Sequence, residues 1–177
     1  MNKSFKYFLL ILNCMLLTQT IGGAVDTKIK FDNQTYNLSN PETKTDKYTY
    51  LLKDENIGNW HSKVIFEKIP GTNPTEAAAE FAYKVQAENP GASVLVYPEA
   101  STIGYLTFPS NKEFYEYNSV VFKKSNSGLE KLGYSRRFYS SDNNGSEGAR
   151  KSAITFAELN NKKYMEMINK LKINDKN

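Results

Sequence analysis

His61 is the one histidine of the chain, and together with the many serines it could form a Ser-His-acid triad for nucleophilic catalysis. The sequence contains no G-x-S-x-G motif, which would place a serine on a strained turn between a strand and a helix. His61 also belongs to an alternating stretch that begins at Trp60, where its side chain is expected to face solvent. The residues therefore predict no triad, and a small secreted hydrolase with an unrecognisable site stays the alternative function.

Acidic side chains lie in or beside predicted loops, and two of them facing each other across a cleft could catalyse hydrolysis. These side chains are Glu99, Glu113, Glu116 and Asp142. Their spacing brings no two of them together, so solvated surface charge is the simpler interpretation. The run DNNG at residues 142–145 is similar to the start of a calcium loop, but the twelfth position holds Ala153 instead of an acid. No metal and no cofactor is predicted.

Tyrosines and arginines lie in two neighbouring β-like segments, and these residue types are suited to binding. If the segments pair, Tyr117, Arg136, Arg137 and Tyr139 could hold a carboxylate, a phosphate or a carbohydrate. Because neighbouring residues on a strand point to opposite faces, only one of the two arginines is expected to contribute. The alternative interpretation is that the cations keep a sheet edge soluble. The predicted partner is an unidentified protein, a glycan or a small anionic ligand.

The N-terminal residues have the layout of a secretory signal peptide. Lys3 and Lys6 precede an apolar run over residues 7–17, and the small residues 22–24 follow. The run is shorter than the roughly 20 apolar residues that span a bilayer. The sequence therefore predicts cleavage after Ala24, no transmembrane segment in the remaining chain, and a periplasmic or secreted protein.

Cys14 is the only cysteine, and a lipid anchor on it is disfavoured because Leu12 and Asn13 lack the small residue that such a site prefers. Removing residues 1–24 takes away two lysines and no acid, which lowers the formal net charge from +4 to +2. A nearly neutral chain does not predict nucleic-acid binding. The aromatic content of 13% is too high for a disordered chain and predicts a packed core.

The remaining sequence predicts one α+β domain over residues 47–177, preceded by a polar segment over residues 25–46 that contains a possible hairpin. Short β-like segments separated by turn residues predict a mainly antiparallel sheet of about five to seven strands, because parallel crossovers need longer connections. Two flanking helices are predicted at about residues 73–89, where Asn73 provides an N-cap, and 148–172.

Apolar residues recur with a period of two in the predicted strands and of about 3.6 in the predicted helices, and these faces form the predicted core. The side chains expected in this core are Trp60, Val64, Phe66, Phe81 and Phe156. The tryptophan is expected to anchor the point where its strand joins the sheet, on the same face as Val64 and Phe66. Asn160 and Asn161 interrupt the stripe of the second helix and could bend it midway.

The order of these elements, with Asn59-Trp60 leading into Val64 and a following helix that begins with proline, resembles the Mog1/PsbP-like fold group. Small exported bacterial proteins of unknown function are similar in the same way. The similarity covers roughly residues 47–172 and implies an antiparallel sheet flanked by helices. Because that group serves binding and assembly rather than one chemistry, the resemblance implies no catalytic residue. We therefore expect an exported, non-enzymatic binding or accessory protein.

Overall fold

The structure, a computed structural model, describes residues 24–42, 46–173 and 175–176. Of the predicted signal segment only Ala24 is among them, so that prediction lies outside the described residues. No helix in these ranges is long and apolar enough to cross a membrane.

The chain divides into two compact units. The smaller unit comprises residues 1–26 and 174–177, and in it β1 (Ala24–Val25) pairs antiparallel with β10 (Asp175–Lys176). The larger unit, Thr27–Ile173, is an α+β domain whose described residues form one antiparallel sheet and two α-helices. The predicted fold class is therefore confirmed.

The sheet of the larger unit contains eight strands. In chain order they are β2 (Lys28–Phe31), β3 (Gln34–Glu42), β4 (Lys47–Leu51), β5 (Ser62–Ile69), β6 (Ser93–Tyr97), β7 (Thr102–Thr107), β8 (Phe114–Ser125) and β9 (Gly128–Tyr139). Their order across the sheet is β2-β3-β4-β5-β9-β8-β7-β6. The prediction of five to seven strands is wrong, because the hairpin formed by β2 and β3 pairs with β4 and so extends the same sheet.

The hairpin at the β2 edge turns at Asp32 and Asn33, whose φ angles of 47° and 60° are those that a type I′ turn requires. Strand β2 has the sequence KIKF, and its residues alternate between exposed and buried. Ile29 and Phe31 are buried, and the two lysines are exposed. One edge strand of the sheet therefore has a charged outer face and a buried inner face.

Helix α1 (Pro74–Glu88) begins where the sequence predicts it. The Asn73 side chain accepts hydrogen bonds from the backbone N–H groups of Thr75 and Glu76, and proline occupies the first turn. The alanine-rich side of this helix packs on the sheet around Ile103. Small side chains allow the helix to lie close to the strands.

Helix α2 (Ser146–Lys170) lies on the opposite face of the sheet and begins and ends two residues earlier than predicted. Asn161 of this helix lies directly against Gly104, whereas α1 packs on the preceding residue, Ile103. Consecutive strand residues point to opposite faces, so the two helices cover different faces. We call these the α1 face and the α2 face.

The sheet curves around the α2 face. Strands β2 and β9 are four positions apart, which is about 19 Å in a flat sheet. The rings of Phe31 on β2 and Tyr134 on β9 are nevertheless only 5.1 Å apart between centroids. Tyr164 of α2 stacks on Tyr134 at 4.5 Å. The aromatic contacts therefore close the inner side of the curved sheet around α2.

Three of the five predicted core residues, Trp60, Val64 and Phe66, are buried, and Phe81 and Phe156 are half-buried. Val64 lies opposite Tyr134 on the α2 face, and Phe66 follows on the same face. The tryptophan ring lies on the α1 face instead, because β5 begins two residues later and the strand alternation does not extend to it.

Candidate functional site

The four residues predicted to bind a ligand lie on the paired strands β8 and β9. Tyr117 is directly opposite Arg136, and both lie on the α2 face. Arg137 and Tyr139 have the opposite orientation and lie on the α1 face. The predicted site is therefore split by the sheet, and the four side chains do not converge on one ligand.

On the α2 face, Tyr117 is buried and its hydroxyl donates a hydrogen bond to Oδ1 of Asn161 at 3.0 Å. Burial raises the pKa of the Tyr117 hydroxyl, so this group remains a donor. Arg136 is exposed, with its guanidinium 4.8 Å from the ring centre of Phe156. Tyr117 thus positions a helix residue, and of the predicted four only Arg136 is freely accessible.

On the α1 face, the Arg137 guanidinium lies 3.9 Å from the ring centres of both Trp60 and Phe114. Its Nε donates to Oε2 of Glu116 at 3.0 Å. The Tyr139 hydroxyl donates to the backbone carbonyl of Trp60 at 3.0 Å. Arg137 and Tyr139 are therefore engaged within the fold, where they hold the buried tryptophan against the sheet.

His61 lies between two carboxylates. Its Nδ1 is 3.2 Å from Glu55 and its Nε2 is 3.2 Å from Asp142, while 58% of its side chain is exposed. Hydrogen bonds from Ser141 and then from His61 hold the pKa of Asp142 below its usual value. Both ring nitrogens are therefore directed at carboxylates and not at a nucleophile. Among the described residues, no group of His, Cys, Asp and Glu is placed to hold a metal ion.

Strand β6 forms the other edge of the sheet and is strongly apolar. Within the described part of the chain it pairs with β7 alone. The exposed fractions of Leu95, Val96 and Tyr97 are 53%, 42% and 36%, and no residue of Ser93–Tyr97 is charged. Leu95 and Tyr97 lie on the α2 face, opposite Gly104 and Thr102 of β7, and Val96 lies on the α1 face.

A groove of about 530 Å³ follows β6 on the α2 face, between this strand and α2. We call it the β6 groove. Its apolar lining comprises Leu95, Tyr97, Leu106, Phe108, Ile154 and Ala157. Three charged side chains of α2 also line it, namely Arg150, Glu158 and Lys162. A mainly apolar groove of this size with a few polar groups has the character of a binding site.

The floor of the β6 groove is formed where Asn161 lies on Gly104. A Cβ atom on Gly104 would collide with the Asn161 amide, so only glycine accommodates this close approach. The Tyr117 hydroxyl holds Oδ1 of the amide. The side chain is thus fixed by two contacts with the sheet, and its Nδ2 group is left to donate to another acceptor.

Sequence reasoning missed this groove, because it treated β6 as an ordinary strand and Asn161 as an interruption in a helix. Two signals could have found it. Gly104 interrupts a strand pattern, which indicates the close approach of another group. Asn161 places an amide on an apolar stripe, where a buried polar group needs a partner. Read together, they indicate one contact between strand and helix.

Comparisons with known proteins identify a family for this chain but no activity. No curated protein and no solved structure matched the chain. A protein-family model matches residues 24–173, which include all eight strands of the large sheet and both helices. The match covers well over half of the sequence, and the chain therefore belongs to this family.

Proposed function

We propose that this protein is a non-enzymatic binding protein that captures an extended segment of a partner polypeptide as an additional strand at β6. The single observation that carries the proposal is the unprotected edge of β6, which is apolar and uncharged and runs beside the β6 groove. Backbone N–H and C=O groups along an open edge are satisfied by another extended backbone. Side chains of the added strand on the α2 face would extend the apolar lining of the groove.

An extended segment fits this surface better than a second copy of the chain. Two copies pairing through β6 would contribute five residues each, whereas a stable interface uses about 20–30 residues and roughly 800 Å² per partner. Leu95, Val96 and Tyr97 are also already about half covered, which limits the area that an edge-to-edge pair could bury. A partner segment can fill the groove in addition to pairing with the edge.

The alternative hydrolase receives less support from the geometry. His61 contacts Glu55 and Asp142 through its two ring nitrogens, and Ser141 donates to Asp142 rather than to the histidine. Proton transfer from a serine would require one ring nitrogen to be within hydrogen-bond reach of that serine. Binding therefore remains the function that the described residues support best.

Export and the Mog1/PsbP-like resemblance also belong to our proposal. The N-terminal sequence supports export, and a partner would then be sought in the envelope or outside the cell. The resemblance is consistent with a binding or assembly role. Cell fractionation followed by determination of the mature N-terminus tests the location.

The binding proposal is tested by selecting a phage-displayed library of random nine-residue peptides on the purified protein. We expect enriched peptides to carry apolar residues at alternate positions, because side chains of an added strand alternate between the two faces. In fluorescence titrations, Leu95→Lys is expected to weaken binding at least about tenfold, since it places a charge at the centre of the edge.

Leu159→Lys provides the matched control. Leu159 is 77% exposed on α2 but does not line the β6 groove, so the same substitution there should leave the Kd unchanged within about twofold. N-methylation of alternate peptide amides should abolish binding, because it removes the donors that pair with β6. An equal loss in both lysine variants, no effect of either, or no enriched peptide would overturn the proposal.

A further inference from the structure

We infer that the β6 groove is itself a binding site for a small carboxylate of the fatty-acid class, whose head group accepts a hydrogen bond from Asn161 and whose tail lies on the apolar lining. The inference goes beyond strand addition. A strand added at β6 lies outside this edge, and the Leu95 side chain stands between it and Gly104. The inner part of the groove, over Gly104 and beside α2, is therefore available to a separate molecule, and a volume of about 530 Å³ suits one.

Asn161 provides a fixed hydrogen-bond donor at one end of the groove. Tyr117 donates to its Oδ1 at 3.0 Å, and burial raises the pKa of the Tyr117 hydroxyl, so the oxygen side of the amide is held toward the sheet. The Nδ2 group makes no hydrogen bond to any described residue, and it is not one of their fully buried unpaired atoms. Because Asn161 lines the groove, Nδ2 is open to a ligand there. A donor held in this way is suited to an acceptor oxygen.

The charged side chains of the groove favour an acidic head group over a basic one. Lys162 follows Asn161 directly on α2, lines the groove and forms no ion pair with any described residue. Arg150 also lines the groove, and its ion pair is with the exposed Glu147, at 3.4 Å. Glu158 is the one carboxylate in the lining. The two cations therefore leave an excess of one positive charge, which favours a carboxylate as the acceptor.

The apolar part of the groove extends from Asn161 toward the start of α2. Phe108 packs on Tyr115 with ring centres 5.4 Å apart, and the hydroxyls of Tyr115 and Ser146, the first residue of α2, share a hydrogen bond of 2.8 Å. Phe108 therefore lies near the opposite end of the helix from Asn161. The apolar side chains that line the groove with Phe108 include Leu95, Leu106, Ile154 and Ala157. An unbranched alkyl chain matches an elongated apolar lining that has its donor at one end.

The test titrates the isotope-labelled protein with decanoate, decylammonium and butanoate, and NMR spectra report both the affinity and the position of binding. We expect decanoate to shift the side-chain amide signal of Asn161 and the backbone signals of Leu106 and Ala157. Its Kd should be at least about tenfold lower than those of the other two probes. Decylammonium has the same tail without an acceptor, and butanoate has the same head group without most of the apolar surface.

Ala157→Phe tests the seat of the tail without changing any charge. The new ring would occupy the apolar part of the groove, so decanoate should bind at least about tenfold more weakly. Ala79→Phe is the matched control, because Ala79 is exposed on α1 and does not line the groove. It should leave the Kd unchanged within about twofold.

Asn161→Asp tests the seat of the head group. An aspartate oxygen can still accept from Tyr117, while the Nδ2 donor is replaced by a negative charge. Decanoate should bind at least about tenfold more weakly, and the variant should prefer decylammonium. Asn160→Asp adds the same charge one residue earlier, where the side chain instead donates to the Phe156 carbonyl. It should change the Kd of decanoate by no more than about threefold.

Several results would overturn the inference. They are equal affinities for decanoate and decylammonium in the wild type, equal losses in the two asparagine variants, and unchanged binding in Ala157→Phe. Should Asn161→Asp or Ala157→Phe fail to fold, the shift of the Asn161 amide signal and the order of the three probes on the wild-type protein decide it. Decanoate has no peptide groups to pair with the β6 edge, so its binding or failure to bind is distinct from the outcome of the peptide experiments.

Discussion

The two edges of the eight-stranded sheet differ in how their apolar side chains are covered. At the β2 edge, Ile29 and Phe31 are buried, the Phe31 ring packs on Tyr164 of α2, and the outer face carries lysines. At the β6 edge, Leu95, Val96 and Tyr97 are exposed and no charge interrupts the strand. Lysines on an edge strand discourage pairing with other chains, and β6 has no such protection.

This difference shows that the apolar character of a strand does not by itself decide its burial. The sequence SVLVY of β6 is more apolar than KIKF of β2, yet β6 is the more exposed strand. Burial depends on where α2 crosses the sheet, since this helix contacts β7, β8 and β9 but leaves a groove beside β6. An apolar strand left open in this way is the place at which we expect a partner.

The largest expected difference between the two edges is in stability. Phe31→Ala should lower the free energy of unfolding by about 3–5 kcal/mol, because the ring is 4% exposed and packs on Tyr134 and Tyr164. Leu95→Ala should lower it by less than about 1 kcal/mol, because the residue is half exposed. Urea unfolding measures both, and equal losses would mean that the two edges are equally buried.

A second prediction concerns the floor of the β6 groove. Gly104→Ala should cost about 1–3 kcal/mol, because the new methyl group displaces Asn161 and leaves the Tyr117 hydroxyl without its acceptor. Thermal unfolding checks this effect. The double variant Gly104→Ala with Asn161→Ala should be less destabilised than the sum of the two single variants. Strict additivity would contradict the close contact between strand and helix.

A smaller effect is expected at the turn of the β2 hairpin as the pH is lowered. Hydrogen bonds from Lys163 and Tyr164 hold the pKa of Asp32 below its usual value, so the carboxylate contributes stability above the pKa of the unfolded chain and loses it as the pH falls through the lower pKa of the folded protein. The contribution is less than about 1 kcal/mol, because the Lys163 side chain is half exposed and solvent screens the ion pair. The free energies of unfolding of the wild type and Asp32→Asn, measured from pH 6 to pH 2, should converge as the pH falls. A difference that stays constant over this range would contradict the prediction.

Local signals in the sequence predicted the elements well. Asn73 and Pro74 marked the start of α1, and the short turns between the later strands implied antiparallel pairing. The strand count was wrong because it depends on whether the β2–β3 hairpin joins the same sheet. The pairing of β3 with β4 contains a bulge that the strand pattern does not show, and the contact of Asp32 with Lys163 of α2 joins residues 131 positions apart in sequence.

The site was harder to predict, because it depends on which face each side chain occupies. Alternation correctly separated Arg136 from Arg137, but it could not reveal that Arg137 lies between Trp60 and Phe114. It also could not show that β6 would lie at an edge. The contact of Asn161 with Gly104 joins residues on different elements, and neither residue alone indicates a groove.

The comparison of the two edges is tested most directly by amide hydrogen exchange, measured with and without a selected peptide at saturating concentration. A peptide added as a strand bonds to those β6 amides that do not already donate to β7. We predict slower exchange at alternate amides within Ser93–Tyr97 and no change within Lys28–Phe31. Protection at β2, or binding without protection of β6, would contradict the account.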